Sequence, residues 1–185
     1  MPPAGGREPS ALPAPVSAEA AVAAADRLNL ALGADGNAGA RVRLEGFHAV
    51  EETRVWTAAR DATIAIDWPE APPGRSIRIG VTMRVAVADR RLVEILASAG
   101  DASARWSIDR SEVGGFVERA ITVSARPDPA APIVLSLTSE RLLVPRDLGW
   151  NEDVREIGLC LARIVLEAAD GAAALTAMDV AAMPS

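Results

Sequence analysis

Residues 76–87, SIRIGVTMRVAV, decide the fold. Ile77, Ile79, Val81, Met83, Val85 and Val87 alternate without a break with Ser76, Arg78, Gly80, Thr82, Arg84 and Ala86. A helix would space its apolar residues three and four apart, whereas a strand sends successive side chains to opposite faces. The stretch therefore reads as a strand with one face buried and one wet, the signature of an antiparallel sheet.

The same period extends to both sides. Ile64, Ile66 and Trp68 alternate with Thr63, Ala65 and Asp67; Ile121, Val123 and Ala125 with Thr122 and Ser124; Ile133, Leu135 and Leu137 repeat the pattern. Shorter strand candidates lie at 42–48, 53–57, 91–98, 104–108 and 116–119. Between them stand turn formers: PEAPPG at 69–74, GD at 100–101, GG at 114–115 and RPDPAAP at 126–132. Many short strands with almost no helix among them predict an all-β, two-sheet antiparallel sandwich, with the domain spanning 41–168.

The ends read differently. Residues 1–16 hold five prolines and little that packs, which predicts a disordered tail. Ser17 to Leu32 has the marks of a short helix, with Ser17 as cap, an Ala-rich interior and Gly33 as the stop. The ADGNAG run at 34–39 reads as a linker or turn, so 1–40 is expected to be an extension, with the Ala-rich helix either loosely docked or serving as an attachment to a partner. Residues 169–185 are expected to be a C-terminal tail.

Composition narrows the function classes. Half of the 185 residues are hydrophobic but only 3% are aromatic, so the core must be aliphatic. A net charge of −6 opposes nucleic-acid or anionic-membrane partners. All 19 basic residues are Arg, scattered as a GC-rich codon bias would scatter them rather than clustered for recognition. The single cysteine, Cys160, allows no internal disulfide and sits between leucines as a small buried hydrophobe. The N-terminus lacks the basic start and apolar run of a secretory signal, and charges interrupt every apolar run short of a membrane span. Cytoplasmic residence is expected. With one histidine, no alternating Asp/Asn loop and no phosphate-binding or nucleophile-elbow motif, no metal, cofactor or catalytic residue is expected.

Val144–Leu166, VPRDLGWNEDVREIGLCLARIVL, is locally ambiguous. As a helix it would be capped at Asn151, with Ile157, Leu161, Ile164 and Ala168 on one face. As a strand, Ile157, Leu159 and Leu161 alternate, the phase slips at Arg163, and Ile164 and Leu166 resume it. A slip of one residue predicts a bulge.

Two patches then carry a resemblance. The first is Gly46-Phe47-His48, Glu51, Arg54 and Trp56-Thr57; the second is Pro145-Arg146-Asp147-Leu148-Gly149, Asp153, Arg155 and Ile157-Gly158. Together they resemble the opening and closing motifs of jelly-roll accessory domains associated with bacterial glycosyltransferases and other capsule or exopolysaccharide proteins. Such domains typically close on Asp-x-Arg-x-Leu-Gly; this chain has Ile157 in place of that Leu, and Ala49-Val50 where a proline pair is usual. The resemblance implies a jelly-roll sandwich with 156–168 as its final strand. It also implies a non-catalytic module of surface-polysaccharide biosynthesis that binds a glycan or docks a glycosyltransferase.

In a jelly roll the first and last strands can lie close, which would bring His48, Glu51 and Trp56 beside Asp153 and Arg155. Arg155 is expected to pair with Glu51 or Asp153, with His48 and Trp56 bordering the pair. This patch reads either as a ligand-binding rim, with Trp56 as stacking face, or as a structural clasp held by charge-assisted bonds. The clasp is favoured, since spacing does not set exposure. Trp68, Trp106 and Trp150 are expected in the core or at sheet edges. Two other classes stay open: a purely structural interaction subunit, and a small carbohydrate-active enzyme pairing carboxylates from Glu51, Asp61, Asp109, Glu112 or Asp153.

Overall fold

A computed structural model describes residues 26–86, 92–109, 111–125, 128 and 130–169. Ten strands carry the fold: β1 Arg27–Ala31, β2 Val42–Glu45, β3 Val55–Trp56, β4 Asp61–Ile66, β5 Ser76–Val85, β6 Val93–Ala99, β7 Ala102–Ile108, β8 Val117–Val123, β9 Ile133–Ser139 and β10 Leu159–Ala169. They form two five-stranded antiparallel sheets. The first runs β1-β10-β5-β8, with β3 also paired to β10; the second runs β2-β4-β9-β6-β7. The expected all-β sandwich is what forms.

The alternation that predicted β5 places its side chains. Ile77, Ile79, Val81, Met83 and Val85 are buried, while Arg78, Thr82 and Arg84 lie on the other face. The buried set meets Ile64, Ile66, Ile95, Leu135, Leu137 and Ile108 of the second sheet in one continuous core. Trp68 and Trp106 join it, and the rest is aliphatic, as the scarcity of aromatics requires.

Val144–Leu166 resolves into a short 3₁₀ turn at Arg146–Leu148 and the start of β10. The phase slip is a bulge: Leu161 pairs Met83 and Arg163 pairs the adjacent Thr82, leaving Ala162 as the extra residue. Leu159, Leu161, Ile164 and Leu166 therefore all reach the core. The carbonyl of Ala162 accepts the N–H of Leu32 at 2.9 Å.

The N-terminal expectation is corrected. Within the described residues, the end of the supposed 17–32 helix is strand β1, paired antiparallel to β10 from Arg27↔Glu167 to Ala31↔Arg163. Leu28, Leu30 and Leu32 are covered to varying degree while Arg27, Asn29 and Ala31 are exposed, a period of two that the Ala-rich run before them obscured. Residues 1–16 and 17–25 lie outside the described residues, as does the expected C-terminal tail at 169–185 except for Ala169, which is the last residue of β10 and not tail. The sheets therefore begin before Arg41, and the 34–39 run is a built turn. Asn37 Oδ1 accepts the Ala31 N–H, and its amide donates to the Asn29 carbonyl, both at 2.8 Å. Nor is Gly33 a helix stop. A Cβ there would fall 2.2 Å from the Glu52 carbonyl oxygen, so glycine is what lets the chain pass against the 51–53 loop.

The bulge makes a directional prediction. Deleting Ala162 leaves Leu161 and Arg163 as successive pleat residues, so Ile164 and Leu166 stay inward. Cooperative thermal unfolding is expected to survive at a lowered midpoint, because Leu32 loses its acceptor. Deleting Ile164 instead turns Leu166 outward and Glu167 inward, exposing a side chain whose burial is worth about 1.5–3 kcal/mol and burying a charge. Circular dichroism melts should show no cooperative transition for that variant.

Candidate functional site

The two sequence patches meet at one end of the first sheet, on its outer face. The 46–57 segment folds as a hairpin: Gly46, at φ 78°, turns the chain, Phe47 bridges Thr57, and His48 N–H donates to the Trp56 carbonyl at 2.9 Å. Thr57 is buried and locks the hairpin to β10, donating its N–H to the Leu159 carbonyl at 2.8 Å and accepting the Leu159 N–H on Oγ1 at 2.9 Å. The 144–157 loop closes on itself. Arg146 N–H donates to the Asp153 carbonyl at 2.9 Å, Trp150 N–H donates to the Pro145 carbonyl at 3.0 Å, and Gly149 takes the left-handed conformation the turn requires.

Arg155 joins the two loops. Its Nη2 donates to Glu51 Oε1 at 2.9 Å and to Asp153 Oδ2 at 2.7 Å, and its Nε donates to both Asp153 oxygens. Arg54 Nε donates to the other oxygen of Glu51 at 2.8 Å. The expected pairing of Arg155 is thus present with both partners at once. The Arg155 guanidinium holds the Asp153 carboxyl down at about 2, and Arg54 and then Arg155 lower that of Glu51. Both carboxylates in turn raise Arg155.

The other two candidates lie beside this network. Trp56 is only 8% exposed and offers no free stacking face, because the guanidinium carbon of Arg84 lies 5.1 Å from its ring centroid. His48 is half-buried behind the network; its Nε2 donates to the Glu156 carbonyl at 2.7 Å and it does not line the cleft below. Trp68 and Trp106 are buried as expected, but Trp150 is 48% exposed. Cys160 is fully buried beside Trp56 and Ile157, and burial pushes its thiol up against the opposing pull of Arg84.

These groups border a cleft of about 500 Å³ lined by Glu51, Arg54, Trp56, Arg84, Trp150 and Arg155, among others. Register explains its floor. Trp56 of β3 pairs Cys160 of β10, which pairs Arg84 of β5, and Phe116 stands one residue before Val117, the partner of Met83. Arg84 accordingly lies between two rings, 5.4 Å from the centroid of Phe116, which is 46% exposed. Sequence reasoning missed Arg84, Phe116 and Trp150. The alternation of 76–87 had already placed Arg84 on the outer face, and that was the available signal.

Among the described residues, no group of three or more His, Cys, Asp and Glu side chains could hold a metal, and no helix is long and apolar enough to cross a membrane. No protein-family model matches the chain, and no curated protein matches it. Solved structures with a similar arrangement include three carbohydrate-related ones. The CBM22-2 xylan-binding domain of Xyn10C from Paenibacillus barcinonensis is 10% identical, with 77% of this chain and 99% of that one covered and a TM-score of 0.47. The C-terminal CBM6 of the marine laminarinase LamC from Zobellia galactanivorans is 12% identical, with 76% and 98% covered and a TM-score of 0.42. The GH26-CBM35 mannanase of Podospora anserina is 9% identical, with 78% of this chain but 28% of the enzyme covered and a TM-score of 0.44. Likeness at this level does not carry the ligands of those proteins to this chain.

Protonation should release the Arg155 network. A carboxyl whose folded value is depressed stabilises fully above its unfolded value, and the contribution is lost as pH falls toward the folded value. The melting temperature of wild type should therefore exceed that of Arg155→Ala by several degrees near neutrality. The gap should close as pH falls from about 5 toward 2. Paired thermal melts across that window measure it.

Proposed function

We propose that this chain is a non-catalytic β-sandwich module that binds a glycan in the cleft between the 51–54 and 145–155 loops. The observation that carries the reading is Trp150, 48% exposed on the rim of a cleft whose polar walls are already pinned. An exposed indole face matches the apolar face of a sugar ring, and fixed guanidinium and carboxylate groups match its hydroxyls. The cleft volume falls within the roughly 300–1,000 Å³ of small-ligand sites. In this reading the ligand-binding residues are Trp150, Glu51, Arg54, Asp153 and Arg155, with Trp56 as floor and His48 as a brace behind.

The carboxylates support a binding role over hydrolysis. A glycosidase needs one carboxyl raised in pKa to act as general acid. Glu51 and Asp153 are both lowered by their arginines, Asp61 accepts from Thr138, and Asp109 and Glu112 belong to a separate turn, Glu112 paired there with Arg119. Surface chemistry also favours a glycan over protein docking. Leu96 is exposed on the second sheet, but it stands between Thr138 and Arg105, so it has no apolar neighbour directly across from it. Placement in surface-polysaccharide biosynthesis, beside a glycosyltransferase, belongs to the proposal and rests on the two end motifs.

A glycan array probed with the wild-type protein tests the reading, followed by Trp150→Ala on each hit. Affinity should fall about tenfold with the melting temperature unchanged, since the lost side chain is exposed. An array without hits, or hits indifferent to the substitution, would sink it.

A further inference from the structure

We infer that the cleft selects an acidic sugar, whose carboxylate pairs with Arg84. This rests on reading the cleft as a glycan site and adds the class of glycan. Three arginines and two carboxylates line the cleft, leaving a surplus of one positive charge on a chain whose net charge is −6. The surplus can be located. Arg54 and Arg155 are both bonded to carboxylates of the cleft, with Glu51 and Asp153 consumed by them. Arg84 forms no ion pair with any carboxylate among the described residues, and its Nε is buried without a hydrogen-bond partner.

What surrounds Arg84 is aromatic and sulfur: Trp56 on one side, Phe116 on the other and Cys160 beside it in register. The rings stabilise the cation and hold its plane, but they accept no N–H in the way an oxyanion does. A guanidinium so held presents a rigid fork, and a carboxylate is the planar group that matches it with two parallel bonds. A neutral sugar would cover Arg84 and leave that charge without a carboxylate among the described residues; a uronic acid supplies one. The neighbouring carboxylates do not repel the ligand strongly, since each is already neutralised by an arginine.

The experiment compares uronic-acid-bearing oligosaccharides with their carboxyl-reduced counterparts on the array, followed by calorimetric titration of each hit. The acid should bind about tenfold or more tightly than its reduced form, and Arg84→Gln should abolish that difference while Arg84→Lys keeps part of it. Inorganic phosphate, added as competitor at matching concentration, should leave binding intact; displacement by it would assign Arg84 to phosphate and overturn the carboxylate. Hits confined to neutral glycans, or equal binding of acid and reduced form, overturn the inference while the glycan-binding reading stands. An array with no hits removes both. Should Arg84→Gln fail to fold, the acid-against-reduced comparison on the unaltered protein still decides.

Discussion

Everything in this molecule turns on how β10 is seated. Its ten pairings with β5 form the spine of the first sheet, and its other edge is shared by β1 and β3. One extra residue, Ala162, makes this double role workable. Without an irregularity, a strand obliged to bury Leu159 and Leu161 would keep strict alternation and turn Ile164 to the outer face. The bulge restores the inward phase, and its free carbonyl receives Leu32 from the strand on the far edge. The same seating puts Cys160 outward between Trp56 and Arg84, which creates the floor of the cleft.

The residues expected to form a clasp also wall a cleft in the structure. Arg155 bonds to Glu51 on one loop and Asp153 on the other, so the groups that hold the loops together are also the walls between which the cleft opens. Rigidity of this kind suits recognition, because side chains already bonded lose little further freedom on binding. A carboxyl held down at about 2 by a guanidinium is a poor source of protons at neutral pH.

The parts legible in the sequence are those governed by a single period. Residues 76–87, 63–68 and 133–137 each alternate cleanly, and the phase slip at Arg163 is a count of residues that translates directly into a bulge. Local propensity misleads where two readings share residues. Leu28, Leu30 and Leu32 alternate, yet they follow an Ala-rich run and precede a glycine, so the strand hides behind a helix signature. Gly33 shows the same difficulty: its need comes from the Glu52–Thr53 backbone, about twenty residues away, and no local pattern encodes that approach.

Exposure was the least legible property of the site. Trp56 and Trp150 are chemically identical, the first within one patch and the second directly after Gly149 of the other. The one in a strand is roofed by Arg84 from β5, while the one after Gly149 sits on a turn that points it outward. Trp56 is covered for a tertiary reason, the arrival of a third strand over its ring. That same arrival brings to the cleft floor an arginine that pairs with no carboxylate among the described residues. Covering one tryptophan with an arginine and leaving another open shifts the cleft away from a purely apolar platform. The cleft has an indole on its rim, ion-paired arginines and carboxylates in its walls and a guanidinium on its floor.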